Sequence, residues 1–180
     1  MIGYSRGKSF SSRMIQWFTW VGKSGPSHAL WIEPDAKCFE SWHRKDAVTG
    51  HNGARQGVVG DVHTPGTVIE LYAIQMCACE HEGFITQLEQ IVDRGMKYDW
   101  RGTILGMLLR ANVENKEKVF CSEMLLLAMK ACGYLRQFLL NTEPNQGSPG
   151  MMYRSPKQVK VGEYTAGEPW VCPKIPIGYA

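Results

Sequence analysis

The chain has no long apolar run, no block of like charge and no internal repeat. None of its 180 residues lies in a window approaching the ~20 consecutive apolar residues a membrane span needs. The apolar stretch from Met14 to Val21 is short and broken by Gln16 and Thr19, and the opening residues carry no signal-peptide core. The expectation is a protein without a transmembrane segment, made in a reducing cytoplasm; release with a virion or by host lysis would leave no mark. A net charge of +3, spread along the chain, gives no footprint for nucleic acid. Cysteine is present without a framework pattern. Cys38, Cys77, Cys79, Cys121, Cys132 and Cys172 are irregularly spaced in a chain long for a disulfide-stapled fold, so mostly free thiols are expected. Cys77-Ala78-Cys79-Glu80-His81 offers three metal-ligand types, but it lacks the two-residue gap of zinc knuckles and has no second cluster to match. Ordinary half-buried thiols are the expectation there, with no metal and no cofactor.

What is present is an ordinary globular composition, 44% hydrophobic and 21% charged, in a length suited to one domain. No linker divides residues 1–180. The last stretch, 157–180, reads as a largely irregular tail around Pro169, Pro173 and Pro176, apart from a short strand candidate at 158–161. Ser9 or Ser11 can cap a first helix carrying Phe10, Met14, Ile15, Trp17, Phe18 and Val21 at 3.6-residue spacing. No strand is evident before it. Residues 27–33 and 37–42 then read as a hairpin around Pro34-Asp35-Ala36. The polar stretch 43–52 reads as loop, 57–62 as a short strand and 67–74 as a stronger, β-branched one. Phe84, Ile85, Leu88, Ile91 and Val92 share one face of a helix that follows Gly83 and ends at Gly95, and Asp99 is placed to cap another through Leu109. The pattern predicts an α+β domain, a small antiparallel sheet packed with helices.

The stretch from Val119 to Gly133 carries the chemistry. A short β-prone lead-in precedes an apolar run with helical spacing, and a glycine follows it. Cys121 falls at the helix start, where unpaired backbone N–H groups and the positive end of the dipole favour a thiolate. Without a base such a cysteine is a small buried hydrophobe. A nucleophile needs a base within hydrogen-bond reach and a third group to orient it. Five histidines are available. His43, His51 and His63 fall in loop or turn sequence and His81 just precedes a helix. Only His28 opens a strand, a rigid element that can hold a catalytic group accurately. Hairpin pairing would bring Glu40, polar among Phe39 and Trp42, to the His28 end; a core histidine and an edge-strand carboxylate are the plain alternatives. Trp20, Trp31 and Trp42 can line a groove, although packing is the commoner role.

Ser27-His28-Ala29-Leu30, then Phe39-Glu40-Ser41, Tyr98-Asp99, Phe120-Cys121-Ser122-Glu123-Met124 and Ser155-Pro156 together resemble the YiiX/YaeF-like branch of the permuted NlpC-type cysteine peptidases. The resemblance spans about residues 6–156. In that family histidine precedes cysteine, the reverse of papain-like order, and the lecithin retinol acyltransferase group shares the permutation. The usual Gly-Asp strand is not evident at the N-terminus, and the segment 43–66 is longer and more polar than the family pattern. The resemblance implies a circularly permuted papain-like (NlpC-type) fold with Cys121 as nucleophile, His28 as base and Glu40 as the orienting residue. It also implies acyl transfer through a thioester, with the Cys121 N–H at the helix start stabilising the oxyanion. Tyr4, which lies shortly before the first helix, is a further candidate donor.

The leading expectation is a cysteine hydrolase acting on a peptide, an isopeptide or a lipid-amide, with a cell-wall stem peptide foremost. A lipid acyltransferase or thioesterase on the same fold stands second. A non-catalytic structural or binding protein of phage or prophage origin stands third.

Overall fold

The computed structural model describes residues 1–7, 12, 13, 15, 16, 25–43, 50, 52–99, 103 and 117–179. Within these, the chain folds as mixed α+β around a sheet of eight strands in the order β7-β6-β4-β3-β2-β1-β5-β8. The strands are β1 (Ile2–Ser5), β2 (His28–Ile32), β3 (Lys37–Trp42), β4 (Gly53–Val58), β5 (Val68–Ile74), β6 (Lys97–Tyr98), β7 (Lys118–Val119) and β8 (Gln158–Thr165). All neighbours are antiparallel except β6 and β7. The sheet is thus larger than the small antiparallel one expected, and mixed.

Four sequence expectations change. The N-terminal segment holds a strand, β1, inserted between β2 and β5 with every residue buried. Its four residues carry no alternation that stands out locally; the partners on both sides make it a strand. The candidate at 57–62 is displaced: β4 ends at Val58, and Val59–Val62 forms a single helical turn, α1. Helix α2 (Ala78–Asp93) starts six residues before Phe84, capped by Cys77, so His81 and Gly83 lie inside it. Of the tail, Gln158–Thr165 pairs with β5 along its length, twice the candidate strand. The helices expected across 10–21 and 99–109 fall mostly outside the described residues; Ser12, Arg13, Ile15, Gln16 and Thr103 are helical.

Alternation along the strands divides the core. Ala29, Trp31 and Phe39 face the layer containing α2 and the cysteine helix α3 (Cys121–Ala131). Leu30, Ile32 and Cys38 face the other layer, with Val59, Ile69 and Tyr164. Both sides of the central strands are therefore buried, which makes their apolar runs continuous. Trp31, fully buried in the first layer, is a packing residue and not a groove wall. Gly133, at φ 82, ends α3 in the left-handed conformation that glycine adopts without cost. Short elements follow: α4 (Leu135–Phe138), a 3₁₀ turn (Pro144–Gln146) and α5 (Pro149–Tyr153). None of the described helices is long and apolar enough to cross a membrane.

Candidate active site

Three elements converge beside the N-terminus of α3. The β2–β3 hairpin pairs only Trp31 with Phe39 and Ile32 with Cys38, next to its turn. Continued, that register sets His28 opposite Trp42 and places Glu40 on the diagonal, on the same face as His28. There the His28 Nε2–H donates to Glu40 Oε2 at 2.7 Å, both residues buried. Through a side chain, β3 also holds the lead-in to the cysteine helix. The buried Ser41 hydroxyl donates to the Val119 carbonyl at 2.7 Å, two residues before Cys121. At the start of α3 the Phe120 N–H donates to Glu123 Oε2 at 3.2 Å, and Ser122 Oγ donates to the Gly147 carbonyl at 2.7 Å. These bonds fix where Cys121 opens the helix.

Cys121 lies 1% exposed, near enough to the His28 ring for its charge and hydrogen-bonding capacity to act on the imidazole. With Nε2 on Glu40, Nδ1 is the ring nitrogen left for sulfur. Burial alone would depress His28. The Cys121 thiolate and its hydrogen bond, followed by Glu40, outweigh that and push the imidazole up to about 9. Glu40 is driven the opposite way: burial favours its neutral form, but the His28 hydrogen bond and charge, with His63 and Arg55 behind them, bring it down to about 2. The arrangement favours an imidazolium held by an ionised Glu40.

Sequence reasoning did not find the support around Glu40. Arg55, opposite Glu40 on β4, forks onto Glu40 Oε1: Nε donates at 2.8 Å and a terminal nitrogen makes a second, shorter bond. The second nitrogen also donates to the Val62 carbonyl at 3.2 Å. Trp42 packs edge-on to the His28 ring, centroids 4.8 Å apart, and shields it from water. His63, set aside as a loop residue, is buried between Trp42 and His28, its Nε2 3.7 Å from Glu40 Oε2. Burial, reinforced by the neighbouring cations, brings His63 down to about 4, so its ring is neutral. Only alternation on β4 hinted at Arg55, and no local signal pointed to His63.

Tyr4 does not join the group. Its hydroxyl donates to Gln158 Oε1 at 2.9 Å, and its ring packs edge-on to Tyr72 and Tyr153 in the core. The tyrosine beside Cys121 is Tyr98, where burial first and the Cys121 charge second push the phenol well above its ordinary range. The Cys77–Cys79–His81 trio is not assembled as a ligand set: His81 Nε2 faces Glu33 Oε1 at 3.2 Å, while the two exposed sulfurs face each other at 2.7 Å. Among the described residues the one grouping with metal-ligand spacing is His28, Glu40 and His63.

A cleft runs past these residues. A small cavity lined by His28, Ser41, Trp42 and Tyr98 adjoins one of about 500 Å³ that His63 lines, and the two share Ser5, Gly7, Ser12, Trp42 and His43. Ser5, Ser12, Thr64 and Thr67 line the larger cavity together with Trp42, Pro65 and Val68, so its described wall mixes polar and apolar surface. No protein-family model, curated protein or solved structure matches the chain. What the site can do is therefore judged from its own geometry.

Proposed function

We propose that the chain is a cysteine hydrolase that cleaves an amide through a thioester, with Cys121 as nucleophile, His28 as general base and acid, and Glu40 as the orienting carboxylate. The observation that carries this is the buried His28 ring, held by Glu40 at 2.7 Å and lying beside a buried cysteine that opens a helix. In the proposed reaction the Cys121 sulfur adds to the substrate carbonyl. The resulting oxyanion is met by the Cys121 N–H, a first-turn donor with no intrahelical acceptor. His28 gives its sulfur-side proton to the departing amine as the C–N bond breaks. A water then loses a proton to His28 and attacks the thioester, releasing the acid and restoring the thiolate. Glu40 stays ionised throughout, and Arg55 holds it in place.

Ser5, Ser12, Thr64 and Thr67 along the cleft offer hydrogen-bonding partners to a peptide or isopeptide, which supports an amide substrate over a lipid chain. The resemblance to permuted NlpC-type peptidases, and with it the permuted papain-like fold and a cell-wall-derived stem peptide as substrate, belongs to this proposal. The test is competitive labelling with iodoacetamide at pH 6. Cys121 should react well ahead of the other five thiols and lose that lead in His28→Ala. Equal labelling of all six would leave a binding or structural protein as the better account.

A further inference from the structure

We propose that His28, Glu40 and His63 also form a binding site for a divalent transition-metal ion of the zinc class. Their ligand atoms lie within 4.8 Å of one another, and all three residues are buried. They arrive from separate elements: β2, β3 and the turn after α1. The telling atom is His63 Nε2. It is buried, has no hydrogen-bond partner, and is directed at Glu40 Oε2 from 3.7 Å. A buried imidazole nitrogen normally has a partner. This one faces the same carboxylate oxygen that His28 Nε2 contacts at 2.7 Å.

Two imidazoles and a carboxylate form a donor set that zinc accepts with a fourth position open to water. Arg55 occupies Glu40 Oε1 and leaves Oε2 as the oxygen shared by both histidines. An ion at their centre would take one lone pair from each Nε2 and one from Oε2. The proton now on His28 Nε2 would pass to solvent. His63 lines the cavity of about 500 Å³, which gives the ion an entrance and its fourth ligand, water, a place. Cys121 does not belong to this grouping. If the hydrolase proposal holds, the metal would inhibit: a His28 ligated through Nε2 can no longer be the doubly protonated, Glu40-oriented partner of the thiolate.

The experiment uses the full chain with Cys77→Ser and Cys79→Ser, so that the exposed thiols do not compete. Zinc is titrated against a chromophoric chelator, and cobalt is added separately for its visible spectrum. One site per chain is expected, with cobalt bands free of sulfur charge transfer. Loss of mere supporting contacts costs metal sites about 10–100-fold in affinity, so His63→Gln should weaken binding at least about tenfold. Cys121→Ala should leave it unchanged. In the same Cys77→Ser, Cys79→Ser chain with the three ligands intact, zinc should move the ring ¹⁵N resonances of His28 and His63 and leave those of His43 and His81 in place, a readout that needs no ligand variant to fold. Failure of zinc to compete with the chelator would overturn the site, as would an unchanged affinity in His63→Gln or a charge-transfer band lost in Cys121→Ala. No arm reads turnover: zinc binding by an inactive protein would retain the site and sink the hydrolase, and activity without binding would do the reverse.

Discussion

Two helices of this chain open beside a cysteine and use the same first-turn device. At α2, Cys77 is the cap and its N–H donates to Glu80 Oε2 at 2.8 Å; at α3, Phe120 is the cap, its N–H donates to Glu123 Oε2 at 3.2 Å, and Cys121 follows. Both cysteines sit in the positive field of a helix start. Cys77 is exposed, and the hydrogen bond with Cys79 raises its thiol above the ordinary value. Cys121 is buried against a histidine that a carboxylate holds. The difference lies in what the sheet presents to each helix. β2 and β3 bring the His28 imidazole and the Glu40 carboxylate to α3, whereas the histidine near Cys77 is turned to Glu33. A helix dipole supplies a field, and tertiary packing decides whether that field has a proton acceptor to work with.

The sharpest way to break the comparison is to exchange the thiols one at a time. Cys121→Ala should reduce turnover of a responsive amide substrate by at least about 10³-fold, as loss of a nucleophile does. Its melting temperature should stay near wild type, and Cys77→Ser should keep turnover within about twofold. Next in size, His28→Ala should slow alkylation of Cys121 at pH 6 by about tenfold or more while Cys77 and Cys79 keep their rates, followed by mass spectrometry of the labelled peptides.

The third effect is on stability against pH, measured with chelator present. His28 is raised from 6.5 to about 9, so its contribution is complete below 6.5 and is lost as pH climbs through 9. Glu40 is lowered from 4.5 to about 2, so its contribution is complete above 4.5 and is lost as pH falls through 2. The pair contributes fully between 4.5 and 6.5. Subtracting a His28→Ala melting profile from wild type should reveal a decline on the alkaline side, and a flat difference would contradict the assigned pairing. Cys77→Ser should show no such limb. The smallest effect compares the two glutamates. Glu123→Ala leaves a buried N–H without its acceptor and should cost about 1–3 kcal/mol, against about 0.5–1 kcal/mol for Glu80→Ala at the exposed start. Denaturant midpoints decide it.

How far the sequence discloses this depends on range. The hairpin, β5 and both long helices show their periods within a dozen residues, and Gly95 and Gly133 mark helix ends. His28 and Glu40 are joined by that hairpin, so their proximity follows from local pairing. β1 does not show itself, because four residues, one of them Gly3, become a strand only between two distant partners. The two-residue strands β6 and β7 exist only through partners distant in sequence, each other and, for β6, β4. Arg55 and His63 reach the site through β4 and α1, where the sequence shows a strand shifted past its true end. Tyr4 illustrates the converse. Proximity in sequence to the first helix says nothing about a side chain that β1 turns into the core.

The bond from Ser41 to the Val119 carbonyl spans 78 residues of chain. It ties the strand that carries Glu40 to the lead-in of Cys121, and no local segment contains both. The pairing of thiol and imidazole is therefore a product of complete folding: until that closure forms, Cys121 is an ordinary thiol on an unfinished helix. On the proposed reading of Cys121 as nucleophile, a chain still being made would carry no activated sulfur with which to modify its neighbours or itself.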